Sequence, residues 1–352
     1  MRHTQHLRIL LTFLAGTGFS APSVADSEFL LFPELLLEHR QGDSSDDVEL
    51  TPSLDVFGTA RRGRMRLLGE VVANDEDVEI ERLQLGYAFS SATTLWAGRV
   101  HNPLGYWTTQ YHHGGYLQPS ISRPEAARFG DKGGLFPSHI VGLLLDTTRT
   151  SGDRAFDYSL LAGLGPELRT GRAPALHSVD LLDVNSGRHK LSVTGRFAYR
   201  PDSASGNQAG LFASYVKMPV AGSAYDTLEL GITGAFFSWQ LAELGLSGAL
   251  YRVRDALSAN NSKDDGNFST GYVEVDYPVH ETWTSYARLE HSLGDNKDRY
   301  VGLMSDFIPE RQVLGLRWDF NRKQALKVEY SSNHAGSKRF GSTLLNWSAV
   351  FP

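Results

Sequence analysis

One pattern limits this chain more than any other: apolar and polar residues alternate with period two, in many short runs separated by turn residues. Near the C-terminus Leu314, Leu316, Trp318 and Phe320 fall on one face of an extended segment, with Val313, Gly315, Arg317 and Asp319 on the other. Leu326, Val328 and Tyr330 alternate with Lys327 and Glu329, and Leu345, Trp347, Ala349 and Phe351 with Asn346 and Ser348. Upstream, Leu191, Val193, Phe197 and Tyr199 oppose Ser192, Thr194, Arg196 and Arg200, while Leu228, Leu230, Ile232 and Phe236 oppose Glu229 and Thr233. Leu83, Leu85, Tyr87 and Phe89 alternate with Arg82 and Gln84, but Val78 and Ile80 are out of phase with them, which predicts a bulge near Glu81. Period two is the strand period, so the chain reads as all-β.

Sixteen candidate strands follow, at about 28–37, 49–60, 64–73, 77–89, 92–100, 139–148, 155–163, 191–200, 208–218, 226–236, 240–252, 269–277, 281–290, 310–319, 324–332 and 342–351. The links between them alternate in length. Even-to-odd links are short, around Gly63, Ser90-Ser91, Ser151-Gly152, Ser203 to Gly206, Ser238, His280 and Asn321; odd-to-even links are mostly long, including 101–138, 164–190, 253–268 and 291–309. That parity, with an even strand number, is what a transmembrane antiparallel up-and-down β-barrel of about 16 strands requires: short turns on the periplasmic side, long loops outside. The apolar half of each strand then faces lipid and the polar half lines a water-filled lumen, with Trp96, Trp283, Trp318 and Trp347 as candidates for the interfacial aromatic girdles. Pro33 and Pro52 lie inside the first two strands, where a missing N–H breaks a ladder unless it falls at a strand end.

Residues 1–25 have the layout of a secretory signal peptide: Arg2 and Arg8, an apolar stretch from Ile9 to Phe19, and small residues at Ser23-Val24-Ala25. The barrel domain is expected to occupy 26–352. Loss of Arg2 and Arg8 takes the formal net charge from −6 to −8, which argues against a nucleic-acid partner. The absence of cysteine excludes disulfides and thiol chemistry and suits export through an oxidising compartment. No apolar run in 26–352 approaches the ~20 residues of a membrane helix.

The last run, ending Trp347-Ser348-Ala349-Val350-Phe351, resembles the aromatic-ended final strand of outer-membrane proteins, which implies recognition by the barrel-assembly machinery; here Pro352 follows the aromatic residue. Sixteen strands with one long loop after the fifth resemble the porin superfamily of Gram-negative outer membranes. The resemblance covers 26–352 and is architectural, so it points to no substrate-selective subfamily. It implies an inward-folded loop that narrows the channel, passive diffusion of small hydrophilic solutes, outer-membrane lipid as solvent, and a homotrimer.

If the loop at 101–138 enters the lumen, Arg123, Arg128 and Lys132 set against Glu125 and Asp131 give a constriction with one net positive charge, with His112 and His113 adding to it at low pH. Arg82, Arg99, Arg196, Arg200, Arg288 and Arg317 extend a basic track along the wall and favour anions, while Glu229, Glu274, Asp276, Glu290, Asp319 and Glu329 share the lumen and offset it. His101, His112, His113 and His139 raise a metal reading, but neighbouring histidines in extended chain point apart and no carboxylate stands at a ligand spacing, so no metal and no cofactor is assigned. Ser120 or Ser122 with His112 and His113 could be imagined as a hydrolase pair, yet there is no nucleophile elbow and no third partner, so no enzyme is expected. A receptor or assembly scaffold with a plugged lumen is the alternative, its long loops at 164–190 and 291–309 serving as contact surfaces. No plug segment precedes Phe29, which favours passive diffusion over energised transport.

Overall fold

The computed structural model describes residues 26–41, 48–75, 78–111, 114–181, 186–259, 262–336 and 338–352. The expected signal peptide and the histidines at 112 and 113 lie outside these residues. The strands are β1 (Asp26–Gln41), β2 (Val48–Arg62), β3 (Met65–Asn74), β4 (Val78–Ala88), β5 (Thr93–His101), β6 (His139–Ser151), β7 (Arg154–Leu164) and β8 (Leu191–Arg200). They continue as β9 (Gln208–Ala221), β10 (Thr227–Leu241), β11 (Leu244–Ala259), β12 (Ser262–His280), β13 (Trp283–Leu293), β14 (Glu310–Asn321), β15 (Gln324–Ala335) and β16 (Lys338–Ala349). Each pairs antiparallel with the next, and β1 pairs with β16, so sixteen strands close into a barrel without a free edge. The seam runs from Gln41↔Gly341 to Glu34↔Ser348 and resumes at Leu31, whose N–H and C=O both bond Phe351.

Both prolines lie within strands, and the ladder accommodates them. Since Leu31 points its polar groups at β16, so does Pro33; the seam register stops at Glu34, one residue short of it. Pro52 faces Leu35 across β1, so its missing N–H points toward β3, where pairing starts only at Ser53. The bulge also lies where phase placed it: Glu70 pairs with Arg82 and Val71 with Ile80, leaving Glu81 as the extra residue.

Leu143, Leu160, Leu211, Leu250, Leu289 and Leu314 are each more than half exposed on the outer face. A band of that size is untenable in water and is the lipid face of a barrel. Trp283 and Trp318 stack at 5.3 Å near the short-turn end, with Phe320 beside Trp318 at 5.5 Å, as an aromatic girdle requires. Trp96 corrects the expectation: it faces the lumen, lying flat on Gly86 and packing with Ile140, Leu144 and Leu161.

The main correction concerns β10. Leu228, Leu230 and Ile232 are fully buried and Phe236 nearly so, facing the interior, whereas Glu229 points outward and pairs with Lys217 at 2.5 Å. The reason is what fills the barrel. The loop 102–138, a short hairpin (Glu167–Arg169 with Ala175–His177) and a helical turn (Arg299–Leu303) fold inward and build an apolar core with β8 to β12. Leu104, Trp107, Leu135, Phe136, Leu176 and Tyr300 pack there with Phe212, Leu230, Ile232 and Tyr251.

Candidate functional site: the inward loop and its wall

The loop between β5 and β6 traverses the interior in three stretches, each tied to a different part of the wall. Its neck is the register pair His101↔His139, followed by bonds from Asn102 to Ser138 and Pro137. Residues 104–107 then pack on β9 and β11: the Tyr251 hydroxyl donates to the Leu104 carbonyl at 3.3 Å, and a Cβ on Gly105 would lie 2.6 Å from that hydroxyl oxygen.

The chain next crosses to β1 and β2. Gly114 donates to the Asp55 carboxylate at 2.9 Å, and Gly114-Gly115 passes so close to Phe32 and Glu34 that a side chain at either position would collide with them. Lys327, buried on β15, donates to the carbonyls of Gly115 and Gln118 at 2.6 and 2.7 Å, and Arg317 to those of Tyr116 and Gln118 at 2.8 and 3.0 Å. Backbone carbonyls of the loop thus meet cations of the wall.

The third stretch meets carboxylates. Glu329 accepts from the N–H groups of Ile121 and Ser122 and from the Ser122 hydroxyl. Arg288, fully buried, bonds Glu274 at 2.7 Å, Glu290 at 2.9 Å and the Ser120 and Ser122 hydroxyls at 2.8 and 2.6 Å. Glu290 also accepts from the Glu125 N–H, and Arg311 joins Glu290, Glu125 and the Arg123 carbonyl. Ser120 and Ser122, the imagined nucleophiles, are therefore committed to holding the loop in place.

The predicted constriction residues separate. Arg123 stacks on Phe129 at 3.9 Å within the packed interior, where burial pushes its guanidinium down to about 10 against the pull of Glu81 and Glu70. Glu125 is buried between Arg311 and Arg128, and burial raises its carboxyl above the ordinary range despite both. Arg128 donates to the Asp306 carbonyl at 3.0 Å, and Lys132 is exposed. Asp131 approaches Glu79 and Glu81, and its charge also acts on Arg123.

The wall arginines do lie inside, but each is engaged. Arg82 pairs with Glu70 at 2.5 Å, Arg99 with Glu79 at 2.6 Å, Arg200 with Asp157 at 2.8 Å and Arg317 with Asp319 at 2.7 Å. Arg196 bonds Gln208 at 3.0 Å and lies over Phe236. In the low dielectric of a packed lumen such pairs are screened far less than surface ones. The wall is a lattice of compensated charge rather than a bare basic track. Lys327 and Glu329 belonged to the polar half of their strand, whereas the loop-anchoring roles of Arg311 and Asp55 carry no sequence signal, because they depend on where the loop crosses.

No family model matches the chain, and no curated protein matches it by sequence. Solved structures do. The outer-membrane channel DcaP of Acinetobacter baumannii superposes with a TM-score of 0.63 at 12% identity, covering 95% of this chain and 99% of that one. OmpF of Salmonella typhi, in complex with daunomycin, gives 0.58 at 13% identity over 92% and 97%. The fold is that of an outer-membrane porin. OmpT, an outer membrane protein of Vibrio cholerae, shares it with a TM-score of 0.56 at 10% identity over 95% and 100% of the two chains. The closed porin barrel and its apolar belt fit the outer membrane, whose hydrocarbon core only a barrel without edges can cross with strands.

Proposed function

We propose that the protein is an outer-membrane channel for passive diffusion of small hydrophilic solutes, narrowed by the loop 102–138. The observation that carries this reading is the loop itself, held across the lumen of a porin barrel by charged side chains from β12 to β15. Small solutes are favoured because the interior is tightly filled: Glu70, Glu81, Arg82, Arg99 and His139 are all at most 6% exposed. The loop cations Arg123, Arg128 and Lys132 are proposed to bias passage toward anions, a modest bias given how thoroughly the wall charges are paired. We further propose that residues 1–25 are removed on export, that Trp347 and Phe351 engage the barrel-assembly machinery, and that the barrels associate as a homotrimer.

The test is the reversal potential across a planar bilayer under a salt gradient, for the refolded barrel and for a variant with Arg123, Arg128 and Lys132 replaced by glutamine. A preference for anions that falls in the variant supports the loop as selector; unchanged selectivity removes that role while keeping the channel. The apolar core that the loop shares with the 167–177 hairpin and the 299–303 turn favours one second reading. In it the lumen is plugged and the outer loops serve a receptor or scaffold, and a folded barrel then shows no conductance at all.

A further inference from the structure

Three side chains to which the channel reading gives no ligand-binding part converge at the neck of the loop. His101 ends β5, His139 begins β6, and the two are register partners with imidazole centroids 4.7 Å apart. Glu81 reaches them from β4 because it is the bulged residue. Regular alternation would turn Glu81 away from the side taken by Arg82, but the bulge buries both. The Glu81 carboxylate stands 2.7 Å from His139 Nε2, and one donor atom from each of the three residues lies within 4.8 Å of the others.

We propose that Glu81, His101 and His139 bind a divalent transition-metal ion of zinc-like chemistry, which fastens the two ends of the inward loop. Two imidazoles and one carboxylate are a donor set suited to zinc, with a fourth position open to water or to Glu70, whose carboxylate is 4.0 Å from His101 Nε2. Bonds of about 2.0–2.1 Å require only that the Glu81–His139 contact open slightly around the ion. The electrostatics favour a cation. Glu70, Glu79, Glu81 and Asp131 cluster there against Arg82, Arg99 and Arg123, and Arg82 and Arg99 are already taken by Glu70 and Glu79. Four carboxylates against three guanidiniums leave one negative charge over. Phe129 stacks on His139 at 5.5 Å, fixing that ring while shielding it from water. The position gives the ion a purpose: a clip at the neck of a long loop removes more chain entropy than one placed within a strand pair.

The experiment is a calorimetric titration of the refolded full barrel with Zn²⁺ alone, after chelator treatment, with folding checked by heat-modifiable gel mobility. One Zn²⁺ per chain is expected, with affinity reduced at least tenfold in Glu81→Gln and binding lost in His101→Ala/His139→Ala. Glu81→Gln keeps the size of the side chain and serves where the double variant does not fold. His291 and His334 flank Glu310 on the exposed rim, so His291→Ala/His334→Ala is the control and is expected to bind as the parent does. No uptake by the folded parent overturns the proposal. So does uptake that survives the neck substitutions, or that disappears only in the rim control. None of these outcomes depends on whether the lumen conducts.

Discussion

Arg288 is the residue on which most of the loop's anchoring converges. With no exposed surface it joins Glu274, Glu290, Ser120 and Ser122, so wall and loop share one guanidinium. Replacing it with methionine leaves two buried carboxylates without their main counter-charge, a loss of about 3–5 kcal/mol where a buried pair is broken from one side. Arg288→Met is therefore expected to lower the urea midpoint of refolded barrels clearly. An unchanged midpoint contradicts the network described here. At this scale the sequence was partly legible. Arg288, Glu274, Glu290 and Glu329 fall on the polar half of their strands, and the phase break at Val78 and Ile80 located the bulge. The company each residue keeps was not legible. His101 and His139 stand far apart in the chain, and only the β5–β6 register makes them neighbours of Glu81.

Among the elements, β10 carries the sharpest lesson. Alternation divides a strand into two faces, but it does not say which face meets lipid. In most strands the aliphatic face is outward, where it meets lipid, and the polar face turns inward. On β10 the lumen holds Leu104, Trp107 and Phe136, so the aliphatic face turns in and Glu229 turns out beside Lys217. The chain has no cysteine, which permits single-cysteine labelling with a bilayer-embedded quencher. A label at Leu250, 60% exposed on the outer face of β11, is expected to be quenched by lipid, while cysteine at Leu230 is expected to stay unreactive in the folded barrel. Lipid quenching at position 230 would restore the phase that the sequence alone suggests. Pro33 and Pro52 belong to the same scale: they lie in strands because each missing N–H faces a gap in the neighbouring ladder.

At the scale of the whole molecule, strand number, antiparallel order and closure were all written in period-two runs and turn residues, because a barrel has one repeating solution. The link expected to be long at 253–268 is instead strand, β11 running to Ala259 and β12 starting at Ser262, because the polar ends of both strands extend the ladder beyond the apolar alternation. The degree of filling was not, since it depends on how three separate loops meet. The loop 102–138 is proposed to set the size of the passage, which conductance measures directly. Single-channel conductance of the refolded parent in a planar bilayer should be compared with that of folded Arg288→Met, in which the third stretch of the loop loses its anchor. Small, stable steps are expected for the parent and larger or strongly fluctuating steps for the variant, as a passage sized by the loop requires. Equal steps from both proteins, or a parent as conductive as an unobstructed sixteen-stranded barrel, would contradict it.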